Sequence, residues 1–125
     1  MGLFNTIMGN VSDKDIESIS KLYESILCKD EVIERAFAHI RDKWVFTNKR
    51  LIVQNTQGVT GKKKEFFSLP YHSVECFSIE TAGTFDEDAE LKIWMKGIDE
   101  PMEINFGKGN DILEIQRLFA SHVLE

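Results

Sequence analysis

The sequence predicts a mainly β domain: seven short strands in an antiparallel barrel or orthogonal sandwich, with an N-terminal helix before them and a C-terminal helix capping them. Three observations predict it. From Glu31 to Gly107, β-branched and aromatic residues crowd into short runs broken by turn residues. Before that stretch, Ile16, Ile19, Tyr23, Ile26 and Leu27 recur at helical spacing. After it, Ile112, Ile115, Leu118, Phe119 and Val123 form one apolar stripe that must be buried on something, and the open mouth of a small barrel is the nearest surface.

Each element has its own reason. Ser12 followed by Asp15 is close to a capping box, so the first helix starts there and is expected to run to Lys29 or Asp30. Val32 to Ile40 is the first strand, and Lys43 to Thr47 the second, with Asn48 and Lys49 as its turn. Arg50 to Asn55 follows, then a loop through Gly58 and Gly61, and Glu65 to Leu69 is ended by Pro70. Val74 to Thr81 alternates, with Cys76, Ser78 and Glu80 on one side and Phe77 and Ile79 on the other. Ala89 to Lys96 sets Leu91, Ile93 and Met95 against Lys92, Trp94 and Lys96. Pro101 to Phe106 sets Met102, Ile104 and Phe106 against Glu103 and Asn105. Asn110 or Asp111 caps the last helix.

Composition narrows the function classes. A chain of 125 residues, 42% apolar and 29% charged, is one ordinary globular domain. It can bury roughly two thirds of its unfolded surface and needs no disulfide or metal to fold. The net charge of -6 argues against a nucleic-acid binder. That total hides a polarity. Arg41 to Lys64 holds seven basic residues and one acid, a net +6, which leaves -12 for the rest. No apolar run is long enough to span a membrane, and no secretory signal opens the chain. Cys28 and Cys76 sit in no CxxC pair and read as reduced thiols of a cytoplasmic protein.

The segments Thr47-Asn48-Lys49-Arg50-Leu51-Ile52, Gly58-Val59-Thr60-Gly61-Lys62-Lys63, Leu69-Pro70-Tyr71, Ile79-Glu80-Thr81-Ala82-Gly83-Thr84-Phe85-Asp86 and Ala89-Glu90-Leu91-Lys92-Ile93-Trp94 resemble the bacterial pleckstrin-homology (PH) domain family. The resemblance runs from the first helix to the last. It implies a stand-alone bacterial protein with a PH-like barrel, assembly into ring-like homo-oligomers, and no catalytic activity. On this reading residues 1–30 are an extension and helix packed on the domain, and 31–125 are the PH-like domain. In lipid-binding PH domains the loops after the first and third strands flank the headgroup, and Arg41, Lys43, Lys62, Lys63 and Lys64 fall there in this chain. Those five are the anion or headgroup candidates. Arg35, Arg41 and Lys43 match the lipid-binding pattern loosely, because Lys43 stands where that pattern has an Arg with bidentate phosphate geometry.

Other motifs fail on spacing. Gly58 to Lys64 has two residues between its glycines where a Walker loop has four, and a strand follows rather than a helix. Asp86, Glu87, Asp88 and Glu90 resemble the start of a calcium loop, but Leu91 and Gly97 stand where Gly and Glu are required. A solvated acidic turn is the better reading, and its charge can meet the basic loops of a neighbouring subunit. His72 and Cys76 lack further ligands for zinc, His39 and His122 read as structural or exposed, and no cofactor motif is present. Met1-Gly2-Leu3-Phe4-Asn5-Thr6 matches the permissive myristoylation pattern by chance. Leu3, Phe4, Ile7 and Met8 form one stripe if helical. A surplus N-terminal helix of this kind points to packing between subunits, so these four residues and Asp86, Glu87 and Asp88 are the oligomer-interface candidates. The expectation is a non-enzymatic, self-assembling interaction module. Its alternative is a peripheral adaptor binding an anionic membrane surface weakly through the basic loops.

Overall fold

The computed structural model describes residues 7–10, 13–38, 42–57, 63–81, 89–106 and 112–125. Their elements run β1 (Ile7–Asn10), α1 (Asp13–Leu22), β2 (Ile33–Ala38), β3 (Asp42–Thr47), β4 (Arg50–Gln57), β5 (Lys63–Pro70), β6 (Val74–Glu80), β7 (Ala89–Met95), β8 (Met102–Phe106) and α2 (Ile112–Val123). The chain divides into two compact units, one of residues 10–69 and one of residues 70–125 with the segment up to Gly9.

The first unit is an antiparallel sheet in the order β5-β4-β3-β2, with α1 on one face. The register aligns Ala36 with Val45 and Val45 with Ile52, so one apolar row crosses three strands. Ile19 of α1 and Tyr23 just beyond it pack on that row, with Ile26, Leu27 and Ile33 around them. The opposite face carries Phe37, Trp44, Phe46, Leu51 and Val53, which are buried too, with Phe37 and Phe46 edge to face at 6.0 Å. A sheet buried on both sides has no polar side to alternate with. Hence Trp44, Val45 and Phe46 are consecutive buried residues.

The helix α1 ends at Leu22, earlier than its apolar spacing predicts. Helical bonding is lost locally: the Ile26 N–H takes the Tyr23 carbonyl at 2.9 Å, three residues back, rather than that of Leu22. Arg50 Nη2 donates to the Ile26 carbonyl at 2.7 Å, the acceptor that a continuing helix would use internally. Asp30 then takes a left-handed φ of 64° as the chain turns into β2. Ile26 and Leu27 still reach the same apolar cluster from this turn.

The second unit pairs β6, β7 and β8 antiparallel, with Phe77 opposite Ile93, Ile79 opposite Leu91, and Leu91 opposite Ile104. A short 3-10 turn, Tyr71–Ser73, follows Pro70 and leads into β6. The helix α2 buries Ile112, Ile115 and Phe119. The Phe119 ring meets Phe77 edge to face at 5.0 Å and Tyr71 at 5.9 Å, while His122 stacks on Tyr71 at 4.6 Å. Burying a Phe side chain contributes about 1.5–3 kcal/mol, so this cluster is the main anchor of α2.

The N-terminal stripe is corrected. Ile7 and Met8 lie in a strand, not a helix: β1 adds parallel to β8, with Ile7 opposite Asn105 and Met8 opposite Phe106. So short a segment gains little from an isolated helical turn, whose nucleation is costly, while a strand edge supplies ready backbone partners.

Candidate functional site

The basic candidates separate in space. Lys63 and Lys64 open β5, the outer strand of its sheet, and both are exposed. Side chains alternate along a strand, and Phe66 meets the Tyr23 ring at 5.6 Å, so Lys64 shares the α1 side while Lys63 faces away from it. Lys43 does not lie in a loop. It sits half-buried inside β3, opposite Ala38 and Gln54. The ladder extends one pair past it, to Asp42 opposite Asn55, where the Asp42 carboxylate accepts the Thr56 N–H at 3.3 Å. Lys43 and Lys64 therefore share one sheet face with β4 between them, rather than one loop. Arg41 and Lys62 lie outside the described residues, as do Leu3, Phe4, Asp86, Glu87 and Asp88.

A buried ion pair in the first unit ties the start of β4 to the segment before β2. The Glu31 side chain is fully buried. Its Oε2 accepts from Arg50 Nε at 2.9 Å and Thr47 Oγ1 at 2.7 Å, and its Oε1 accepts from Arg50 Nη2 at 3.1 Å and the Cys28 N–H at 2.8 Å. Burial alone would push this carboxyl up, but these hydrogen bonds and the Arg50 charge outweigh it and hold the carboxyl at about 2. The hydrogen bond to Glu31 holds the Arg50 guanidinium above its ordinary value. Four donors on two oxygens leave no room for a ligand. Beside them, Asn48 accepts the Val32 N–H at 2.8 Å and donates to the Asp30 carbonyl at 3.0 Å, tying the β3–β4 turn to the start of β2. Tyr23 donates its buried phenol to Gln54 Oε1, and burial pushes that phenol up.

The second unit offers a different surface. On the side of the β6–β8 sheet away from α2, Cys76 pairs with Trp94, Ser78 with Lys92, and Glu80 with Glu90, while Lys92 pairs with Glu103. Burial, with Glu103 and Glu80 close by, pushes the Glu90 carboxyl up against the opposing pull of Lys92, whose Nζ stands 3.7 Å from it. At one end of this face Glu75, Cys76, Trp94, Met95, Gly97, Ile98 and Asp99 line an open cavity of about 280 Å³. Gly97 makes the turn there with φ of 81°, and Ile98 N–H closes it on the Met95 carbonyl at 3.1 Å.

Cys28 and Cys76 are both free and exposed. His72 is exposed in the 3-10 turn, and His39 lies outside the described residues. Among the described residues no group of three or more His, Cys, Asp or Glu is placed to hold a metal ion, and no helix is long and apolar enough to cross a membrane.

Residues 2–123 match the profile described as bacterial PH domain. The chain belongs to the bacterial PH domain family. Its relatives include two uncharacterised Bacillus subtilis (strain 168) proteins. YjqA is 44% identical, over 97% of this chain and 98% of its own length. YozO is 34% identical, over 83% and 89%. Two crystal structures share the fold. A DUF1696-family protein with a PH domain from Shewanella loihica PV-4 superposes with a TM-score of 0.84 at 40% identity, covering 94% of this chain and 97% of its own. A PH domain from Shewanella amazonensis SB2B gives 0.74 at 43% identity, covering 94% of each. This bacterial PH domain is thus PH-like in fold, as its strand and helix pattern predicts.

Two features escaped the sequence reading. Glu31 and Arg50 are nineteen positions apart, and no local spacing links them. The charged face of β6–β8 did have a signal: the polar sides of those three strands carry most of their charge.

Proposed function

We propose that this bacterial PH domain is a non-enzymatic, cytoplasmic interaction module that self-assembles into a homo-oligomer. The observation carrying this reading is β5. It is the last strand of its sheet, and six consecutive residues, Lys63 to Ser68, are exposed, including Phe66 and Phe67. A long outer strand with apolar side chains and unpaired backbone groups is a template for pairing with another chain. Light scattering on the full chain tests it. The expected mass is a multiple of 14.4 kDa, lowered by Phe67→Lys. A mass of 14.4 kDa at high protein concentration would overturn it.

Lys63 and Lys64 support a second reading, a peripheral contact with anionic membrane. Each lysine near such a surface is worth about 1 kcal/mol, so two give weak, salt-sensitive binding. Co-sedimentation with phosphatidylserine vesicles at low salt reads it directly, and equal binding to neutral vesicles refutes it.

A further inference from the structure

We infer that the solvent face of the β6–β8 sheet is a docking surface for a basic, extended polypeptide segment, with a Lys or Arg side chain of that segment entering the cavity beside Trp94. This goes beyond self-assembly and does not depend on it.

Charge selects the partner. Glu75, Glu80, Glu90, Glu103 and Asp99 lie on or around this face, against Lys92 within it and the exposed Lys96 at its end. The pair Glu80 and Glu90 stands directly opposite across β6 and β7, where like charges are destabilising. The fold gains nothing from that arrangement. A cation laid between the strands removes the repulsion, so binding recovers what folding loses.

The cavity selects the side chain. It offers an indole, the apolar surfaces of Met95 and half-exposed Ile98, and the carboxylates of Glu75 and Asp99. A Lys or Arg side chain has the matching parts: an apolar stem to lie on the apolar wall, and a cationic head for the carboxylates and the face of the ring. Extended conformation follows from topology. β6 is the outer strand of its sheet, and among the described residues no strand pairs with its free edge. A segment added there as a strand presents alternate side chains to the face that carries Cys76, Ser78 and Glu80. Basic residues at every second position therefore fit best.

Fluorescence anisotropy with the full chain tests this, using a fluorescein-labelled peptide of four alternating Lys-Ser pairs at low salt. The expected result is saturable binding, weakened about tenfold by Trp94→Ala combined with Glu75→Gln and Asp99→Asn. Binding is also weaker for a peptide with its four lysines in one block, and unchanged by Glu17→Gln on α1. Circular dichroism verifies folding; should the triple variant unfold, the pair Glu75→Gln and Asp99→Asn carries the test. Four outcomes overturn the inference. One is no saturable binding, and a second is equal binding to the folded variants. A third is loss of the peptide in 1 mM calcium at constant ionic strength, which marks a divalent-cation site. The fourth is about tenfold tighter binding by a Lys63→Glu, Lys64→Glu variant, which shows that a second copy already covers the face.

Discussion

The two sheets of this molecule handle their faces in opposite ways. The β2–β4 sheet is buried on both sides: Ala36, Val45 and Ile52 lie under α1, and Phe37, Trp44 and Phe46 are fully buried on the reverse. The β6–β8 sheet is buried on one side only. Phe77, Leu91, Ile93 and Ile104 face the core beside Phe119, while Ser78, Glu80, Lys92 and Glu103 face water. The first sheet contributes stability, and its polar groups are closed into internal contacts such as Glu31 with Arg50. The second keeps a charged surface that the fold does not consume. A face packed against other side chains cannot recognise a partner, so the first sheet is left with its exposed outer strand β5, while the second has a whole open face.

Substitutions can break this contrast, and tryptophan gives the largest expected effect. Trp44→Ala empties a fully buried site and is expected to cost about 3–5 kcal/mol, whereas Trp94→Ala on the half-exposed face is expected to cost about 1 kcal/mol or less. Urea unfolding of the two variants makes the comparison, and equal losses would abolish it.

Next in size is the buried carboxylate. Glu31 has its carboxyl at about 2 in the folded chain against an ordinary value of 4.5. Unfolding raises its proton affinity, so its contribution is fully present above pH 4.5 and is lost as pH falls toward 2. The difference corresponds to about 3 kcal/mol. Unfolding free energy measured across that interval is expected to fall more steeply in the wild type than in Glu31→Gln, which is expected to be destabilised by a similar amount at neutral pH. Parallel curves would show that the Arg50 contact contributes nothing.

Tyr23→Phe removes the donor to Gln54 while keeping the ring on Phe66, and is expected to cost about 1 kcal/mol in thermal or chemical unfolding. The smallest effect has the opposite sign. Glu80→Gln relieves the repulsion with Glu90 and is expected to stabilise by about 0.2–1 kcal/mol at neutral pH, with the gain shrinking in high salt. A loss of stability there would mean that the charged face serves the fold after all.

The strand runs, the β3–β4 turn at Asn48 and Lys49 and the stripe of α2 were legible because each depends on local periodicity and turn chemistry, which neighbouring residues specify. The alternation in β6, β7 and β8 was legible for the same reason: one buried face and one wet face leave a period of two in the sequence. Tertiary structure decided the rest. It fixed the turn beyond α1, where Arg50 takes the Ile26 carbonyl. It made Ile7–Asn10 a strand, because β8 offered an edge that so short a segment cannot match with helical bonds of its own. It carried β3 one pair past Lys43, to Asp42 opposite Asn55, and set Glu80 opposite Glu90. Those outcomes depend on register and on partners far along the chain. Periodicity assigns a side chain to a face of its own strand, and only the pairing of strands determines which charge it meets there.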